Sequence, residues 1–134
     1  MLIMNLSHKK IGDYGERVCK NYLMKLGYNI LELNYSSRYG EIDIIASKGE
    51  YLAFVEVKTR AKNSIVKGCE AVNKSKMLKI IKTAYQYLQF FNLDLQPRFD
   101  VCEIYIYKNV VVDKINYIKN AFNLNSVGEY NLNL

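Results

Sequence analysis

GEIDIIASKGEYLAFVEVKTR, residues 40–60, contains the most informative pattern in this chain. Two runs rich in Ile, Ala, Leu, Phe and Val, EIDIIAS and YLAFVEVK, flank the short glycine-containing segment SKGE. Short apolar runs on either side of a tight turn are typical of two antiparallel strands. We therefore predict a β-hairpin here, with its turn near Lys48 and Gly49.

Each strand of this hairpin carries a carboxylate within its apolar run, Asp43 in the first and Glu56 in the second. Lys58 follows Glu56 at a spacing of two, so both side chains project from one face of the strand, roughly 6.6 Å apart along it. The predicted turn places Asp43 opposite residues 54–56. Because a buried charge is costly unless it is paired or holds a metal, these side chains need an explanation.

Two explanations fit these three residues. Carboxylates on one face of adjacent strands suit a hard divalent cation such as Mg²⁺, which prefers oxygen ligands and completes its shell with water and substrate phosphate. Lys58 would then orient or deprotonate an attacking water and offset charge on the phosphate. The alternative is an exposed cross-strand ion pair of small energetic consequence. The Glu-x-Lys triplet alone does not decide, because it occurs by chance in about half of chains this long.

The rest of the chain predicts two long helices and three more strands. Apolar side chains at spacings of three and four indicate helices over residues 8–26 and 73–92. YNILELNY precedes the hairpin as a strand, RFDVCEIYIY and NVVVDKI follow the second helix as two strands, and INYIKNAF is predicted as a short closing helix.

The predicted order is therefore α-β-β-β-α-β-β-α, and the class is α/β. A helix between the third and fourth strands implies a crossover, and hence a mixed central β-sheet flanked by helices. The 134 residues are enough for one domain over residues 1–134. Its core is expected over about residues 8–122, with residues 123–134 as a flexible tail.

The net charge of +6 is concentrated in one window. Residues 58–82 contain eight basic side chains and a single acid, Glu70, so this window carries +7 and the remaining chain −1. A clustered basic field attracts polyanions, first of all nucleic acid. The alternative is an ordinary solvated helix face.

The sequence gives no indication of a secreted or membrane protein. The apolar N-terminal run is too short for a signal peptide, and no stretch approaches the roughly 20 apolar residues of a spanning helix. The three cysteines, Cys19, Cys69 and Cys102, are widely spaced and odd in number, which is typical of reduced thiols in the cytoplasm. We expect a cytoplasmic protein without a membrane partner.

An extended pattern of motifs closely resembles the YraN-like family of predicted endonucleases. It comprises GDYGE, GEIDIIA, FVEVKTR, AVNKSKMLKIIKTAYQYL, RFDVCEI and IKNAF, and the match runs from about Ile11 to Phe122. That family is assigned to the restriction-endonuclease-like fold, within the PD-(D/E)XK superfamily that includes archaeal Holliday-junction resolvases. The resemblance thus implies a nuclease for which DNA is favoured over RNA, with branched or structured DNA among its candidate substrates and a homodimer among the assemblies it allows.

The resemblance also implies roles for individual residues. Asp43 matches the aspartate of the superfamily signature, and Glu56 and Lys58 match its (D/E)xK element; the signature proline is absent, because Ile42 precedes Asp43. Glu16 matches a helical acid that similar resolvases add to the metal site, although its periodicity alone also fits an exposed helix glutamate. The metal would be Mg²⁺, with Mn²⁺ able to substitute, on Asp43, Glu56, the Val57 carbonyl and Glu16.

Three functions remain open at this point. The first is a Mg²⁺-dependent phosphodiesterase with Asp43, Glu56 and Lys58 as its catalytic residues. Its contacts to the phosphate backbone would come from four basic residues of the charged window: Arg60, Lys62, Lys67 and Lys76. The second is a non-catalytic nucleic-acid-binding module that retains the nuclease fold. The third is an interaction domain for an acidic protein.

Overall fold

The computed structural model describes residues 7–62, 72–108 and 111–128. These residues form a mixed five-stranded sheet in the order β1-β2-β3-β4-β5, with two α-helices. The elements run in the order α1 His8–Lys25, β1 Asn29–Ser37, β2 Gly40–Lys48, β3 Tyr51–Ala61, α2 Lys74–Phe90, β4 Gln96–Tyr107, β5 Val111–Phe122 and a 3-10 helix Leu124–Val127. None of the helices in these described ranges is both long and apolar enough to cross a membrane.

The predicted hairpin is confirmed. Strands β2 and β3 pair antiparallel from Lys48↔Tyr51 to Ile44↔Val55, and Gly49 takes the turn with a φ of 60°. Strand β3 pairs parallel with β4, and α2 makes the crossover between them, which confirms the predicted mixed sheet. Strand β3 is therefore central, with the hairpin on one side and the β4–β5 pair on the other.

The two helices cover opposite faces of the sheet. Because side chains alternate along a strand, Phe54 packs on the α2 side with Ile81, whereas Val55 packs on the α1 side with Leu23. Helix α1 also lies close to β3 at Gly15, where an added Cβ would stand 1.9 Å from the Thr59 hydroxyl oxygen. Any side chain larger than hydrogen at residue 15 would push α1 away from the sheet.

The C-terminal prediction was wrong in one element. INYIKNAF, predicted as a short helix, forms the second half of strand β5 and pairs with β4, for example Val101↔Ile118 and Phe99↔Phe122. Pairing along β4 satisfies its backbone hydrogen bonds, and this tertiary interaction outweighs the local helical spacing. A register shift between Phe99 and Val101 blurs the two-residue alternation that would have identified the strand.

The predicted flexible tail begins with ordered structure. Residues 124–127 form the 3-10 helix, whose Asn123 cap accepts a hydrogen bond from the Asn125 amide at 2.9 Å. Val127 is buried in the core beneath α2. Burial of this side chain holds the segment against the domain, whereas residues 129–134 lie outside the described residues.

Candidate active site at the open end of the hairpin

The candidate site lies where the β2–β3 ladder ends. The last ladder pair is Ile44↔Val55, and one step further the Asp43 side chain takes over from the backbone: its Oδ2 accepts a hydrogen bond from the Val57 amide at 2.8 Å. The amide and carbonyl of one residue in an extended strand point to the same edge. The Val57 carbonyl therefore faces the same opening between the strands.

Glu56 projects beside this opening on the α2 face of the sheet and is only 5% exposed. Its Oε1 lies 3.4 Å from the Lys58 ammonium nitrogen, as the spacing along β3 predicts. The same oxygen accepts a hydrogen bond from the Lys76 ammonium of α2. One buried carboxylate is thus shared by two cations.

Lys76 has a partner that the sequence did not predict. On a helical wheel it lies opposite the core side of α2, and we expected it to contact phosphate from an exposed face. The side chain instead reaches the sheet and pairs with Glu56, because the first turn of α2 stands over the open end of the hairpin. Burial lowers the pKa of Lys76, but the hydrogen bond to Glu56 and its charge outweigh burial and raise this pKa above its usual value.

The charge of Asp43 is less well compensated. Burial and the neighbouring charge of Glu56 raise the pKa of Asp43 to about 7, against a smaller opposing effect of the Val57 amide. Two close carboxylates of which one resists ionisation are a typical environment for a bound cation or for acid–base chemistry. The donor set of two carboxylates and one carbonyl fits the oxygen preference of Mg²⁺. Within residues 7–62, 72–108 and 111–128, however, no three His, Cys, Asp or Glu side chains form a group that could hold a metal ion on their own.

Glu16 lies at the α1 side of the opening. It is half-buried rather than fully exposed, and burial raises its pKa, with further contributions from the charges of Glu41 and Glu56. With its amide nitrogen turned toward the acids, Asn34 donates to Glu16 Oε2 at 3.1 Å and to Glu41 Oε1 at 3.2 Å. Glu16 thus belongs to the same electrostatic environment as Asp43 and Glu56 but does not touch them.

Two residues of this environment were missed by sequence reasoning. Glu41 stands two positions before Asp43 in the quoted stretch, and that spacing was a signal for an acid near the site. Asn34, with a φ of 52° in β1, gave no comparable signal, because its contacts to Glu16 and Glu41 join three separate elements.

The basic residues that were predicted to contact phosphate lie in different surroundings. Arg60 is only 12% exposed, and its Nε lies 3.3 Å from Glu103, so its guanidinium is engaged inside the sheet. Lys62 is more exposed and lies 3.5 Å from Asp113 of β5. Lys67 lies outside the described residues. Of the three that the structure describes, Lys76 alone is brought to the carboxylates, as an ion-pair partner of Glu56.

Comparisons with other proteins bear on the same span. The sequence model of the uncharacterised protein family UPF0102 matches residues 15–104, which include Glu16, Asp43, Glu56, Lys58 and Lys76. A UPF0102 protein of Alkaliphilus metalliredigens is 47% identical over 117 residues, 85% of this chain and 98% of the relative. Similar proteins occur in Caldanaerobacter subterraneus subsp. tengcongensis (41% over 119 residues, 87% and 98%) and Clostridium acetobutylicum (43% over 123 residues, 90% and 100%).

Proposed function

This chain belongs to the uncharacterised protein family UPF0102, and we propose that it is a metal-dependent nuclease that hydrolyses phosphodiester bonds of nucleic acid, with DNA favoured over RNA. The observation that carries the proposal is the meeting of Asp43, Glu56 and Lys58 at the open end of the β2–β3 ladder. The mixed sheet around this hairpin is the architecture that the restriction-endonuclease-like fold implies, and we extend the proposal to that fold.

The cation would be Mg²⁺ or Mn²⁺, held by Asp43, Glu56 and the Val57 carbonyl, with Glu16 beyond them. When bound, it would supply charge neutralisation at the phosphate and lower the pKa of a coordinated water. Asp43 is favourably prepared for this role, because an approaching cation would relieve the repulsion that raises its pKa. The hydrogen bond from Val57 fixes Asp43 Oδ2 at the edge of this opening.

Lys58 is suited to hold the attacking water and the phosphate oxygens. Its side chain is 27% exposed, so its ammonium can reach solvent while it remains within 3.4 Å of Glu56. A fixed cation at this position stabilises negative charge that develops on the phosphate in the transition state. The net charge of +6 favours a polyanionic substrate and attracts it to this surface.

The test is cleavage of plasmid DNA and of labelled branched, duplex and single-stranded DNA in the presence of Mg²⁺ or Mn²⁺. We expect Asp43→Asn and Lys58→Ala each to lower the cleavage rate by about 10²-fold or more, since each removes a group that acts on the reacting phosphate. Lys119→Ala, an exposed change on β5, is a control that should cleave like the wild type. Circular dichroism confirms that each variant is folded; undiminished cleavage by both site variants contradicts the assigned roles.

One observation favours a second candidate, a non-catalytic nucleic-acid-binding module. Glu56 already has two ammonium partners, Lys58 and Lys76, which compensate its charge without a metal. In that case binding to DNA would be sensitive to salt, and no divalent cation would produce hydrolysis of any of the substrates. Nuclease activity requires instead that a cation compete with Lys76 for Glu56, so Lys76→Met should lower the Mg²⁺ concentration needed for half-maximal cleavage.

A further inference from the structure

A cavity of about 310 Å³ lies beside the carboxylate site and takes no part in the roles assigned so far. It is enclosed between the β1–β2 turn and the first turns of α2. Its lining consists of Tyr39, Gly40, Glu41, Asn73, Ser75, Lys76, Lys79 and Ile80. A cavity of this size is at the lower end of those that bind small ligands, so it suits one phosphate or nucleotide-sized group.

The walls of this cavity are fixed by hydrogen bonds. The Ser37 hydroxyl lies 2.8 Å from the hydroxyl of Thr83, which is buried in α2, and so ties the turn to the helix. The Ser37 oxygen also accepts the Tyr39 amide at 3.0 Å. A cavity held open in this way needs little rearrangement to bind a ligand, which lowers the entropic cost of binding.

Cations surround the cavity. Lys79 lines it and has no ion-pair partner within the described part of the chain. Arg38 donates a hydrogen bond to the Tyr39 hydroxyl at 2.7 Å, and the Lys82 ammonium lies 5.5 Å from the centre of the Tyr39 ring. Glu41 is the one acid among the lining residues that the structure describes. The excess of positive charge favours an anionic ligand.

Lys76 connects the cavity to the carboxylate site. Its side chain forms part of the cavity wall, and its ammonium is bonded to Glu56. Glu41, on the opposite wall, is two residues from Asp43 on β2. A ligand in the cavity therefore lies next to any group that is bound at Asp43 and Glu56.

We propose that this cavity is a phosphate subsite that holds the backbone of a nucleic acid strand beside the carboxylate pair, with Lys79 as its principal cation. This inference takes its ligand class, nucleic acid, from the proposed function and rests on it. Successive phosphates of one strand would lie over the cavity and over Asp43 and Glu56, so that Lys79 positions the strand for the reacting phosphate. The contact is to phosphate and carries no base readout.

The test measures binding without cleavage, by fluorescence anisotropy of a labelled oligothymidylate in buffer with EDTA. We expect Lys79→Ala to weaken binding and to reduce the slope of log K against log salt by about 0.7, the value for one phosphate contact on a single strand. Between 50 and 200 mM salt, the wild type should then lose about threefold more affinity than the variant. The control Lys119→Ala removes an equal charge from the distant strand β5 and should keep the wild-type slope.

A second variant acts in the opposite direction. Glu41→Gln removes the acid of the lining and should tighten binding of the same oligothymidylate. The subsite is overturned if the wild type does not bind, if Lys79→Ala and Lys119→Ala have equal slopes, or if Glu41→Gln weakens binding. The binding assay excludes metal, so its result is independent of cleavage. If the protein cleaves DNA but Lys79→Ala binds like the wild type, only the subsite is refuted. If Lys79→Ala weakens binding but the wild type does not cleave DNA with Mg²⁺, only the nuclease activity is refuted.

Discussion

Two pairs of buried or half-buried carboxylates lie in the same sheet, and they differ in how their charges are compensated. Asp43 and Glu56 flank the open end of the hairpin, whereas Asp100 and Glu103 lie in the continuous part of β4, 0% and 2% exposed. The β4 pair is the more deeply buried of the two. Burial alone therefore does not distinguish a functional carboxylate from a structural one.

The β4 carboxylates are surrounded by donors. Asp100 accepts two parallel hydrogen bonds from Arg98, at 3.0 and 2.9 Å, with further bonds from the Tyr117 hydroxyl and the Asn120 amide. Glu103 likewise accepts bonds from three side chains: Arg60, Tyr105 and Asn116. Each of these acids has a complete shell within the protein and no need of a ligand.

The hairpin carboxylates are compensated unevenly. Glu56 has two lysines, but Asp43 has the Val57 amide and a pKa raised to about 7 by burial and by Glu56. A carboxylate that is buried near a second negative charge stores electrostatic energy that a cation could release. The comparison indicates that the charge left uncompensated, rather than the number of acids, marks the candidate active site.

The largest expected effect concerns the β4 pair. Asp100→Ala would leave the half-buried Arg98 guanidinium without its carboxylate and the Tyr117 hydroxyl without its acceptor, so we expect the free energy of unfolding to fall by about 3 kcal/mol. Urea denaturation followed by circular dichroism measures this change. As a control, Asp113→Ala removes a half-exposed acid that pairs with Lys62 and should cost no more than about 1 kcal/mol. Equal losses in the two variants would contradict a structural role for Asp100.

Much of this comparison could be predicted from the sequence. The two apolar runs around the glycine-containing turn in residues 40–60 predicted the hairpin, and the spacing of Glu56 and Lys58 on one strand predicted their common face. Helices α1 and α2 lie within two residues of their predicted bounds, because their apolar side chains recur at helical spacing. The YraN-like resemblance is confirmed at the level of the UPF0102 family.

What could not be predicted depends on contacts between distant elements. Lys76 is polar on the helical wheel, and only the crossing of α2 over the open hairpin brings its ammonium to Glu56. Arg60 belongs to the basic window in sequence, but the parallel pairing of β3 and β4 sets it beside Glu103. The β5 register shift similarly concealed a strand. The spacing of residues along the sequence does not show which elements come into contact.

The second prediction concerns the pH dependence of stability. The folded protein binds a proton at Asp43 up to about pH 7, whereas the unfolded chain releases it near 3.8. Stability from this group is therefore fully present below about pH 4 and is lost as the pH rises toward 7. Asp43→Asn retains an acceptor for the Val57 amide and removes the charge, so it should be more stable than the wild type by on the order of 3 kcal/mol at pH 8.

The difference should shrink as the pH falls from 7 to 4, which urea denaturation at a series of pH values can follow. Asp113→Asn, at a half-exposed site, serves as the control and should show no comparable trend. If Asp43→Asn is no more stable than the wild type at pH 8, the charge of Asp43 is as well compensated as that of Asp100, and the contrast between the two carboxylates is wrong.

The smallest effect is the response to a divalent cation, and it separates the two pairs directly. A cation that binds only the folded state at ten times its dissociation constant adds about 1.4 kcal/mol to the free energy of unfolding. We expect Mg²⁺ or Mn²⁺ to raise the melting temperature of the wild type, relative to NaCl at equal ionic strength, and to leave an Asp43→Asn, Glu56→Gln double variant unchanged. The β4 carboxylates remain in that variant with all their donors, so they provide an internal control. Equal stabilisation of both proteins would place the cation away from the hairpin, and the contrast between the two pairs would then lose its functional meaning.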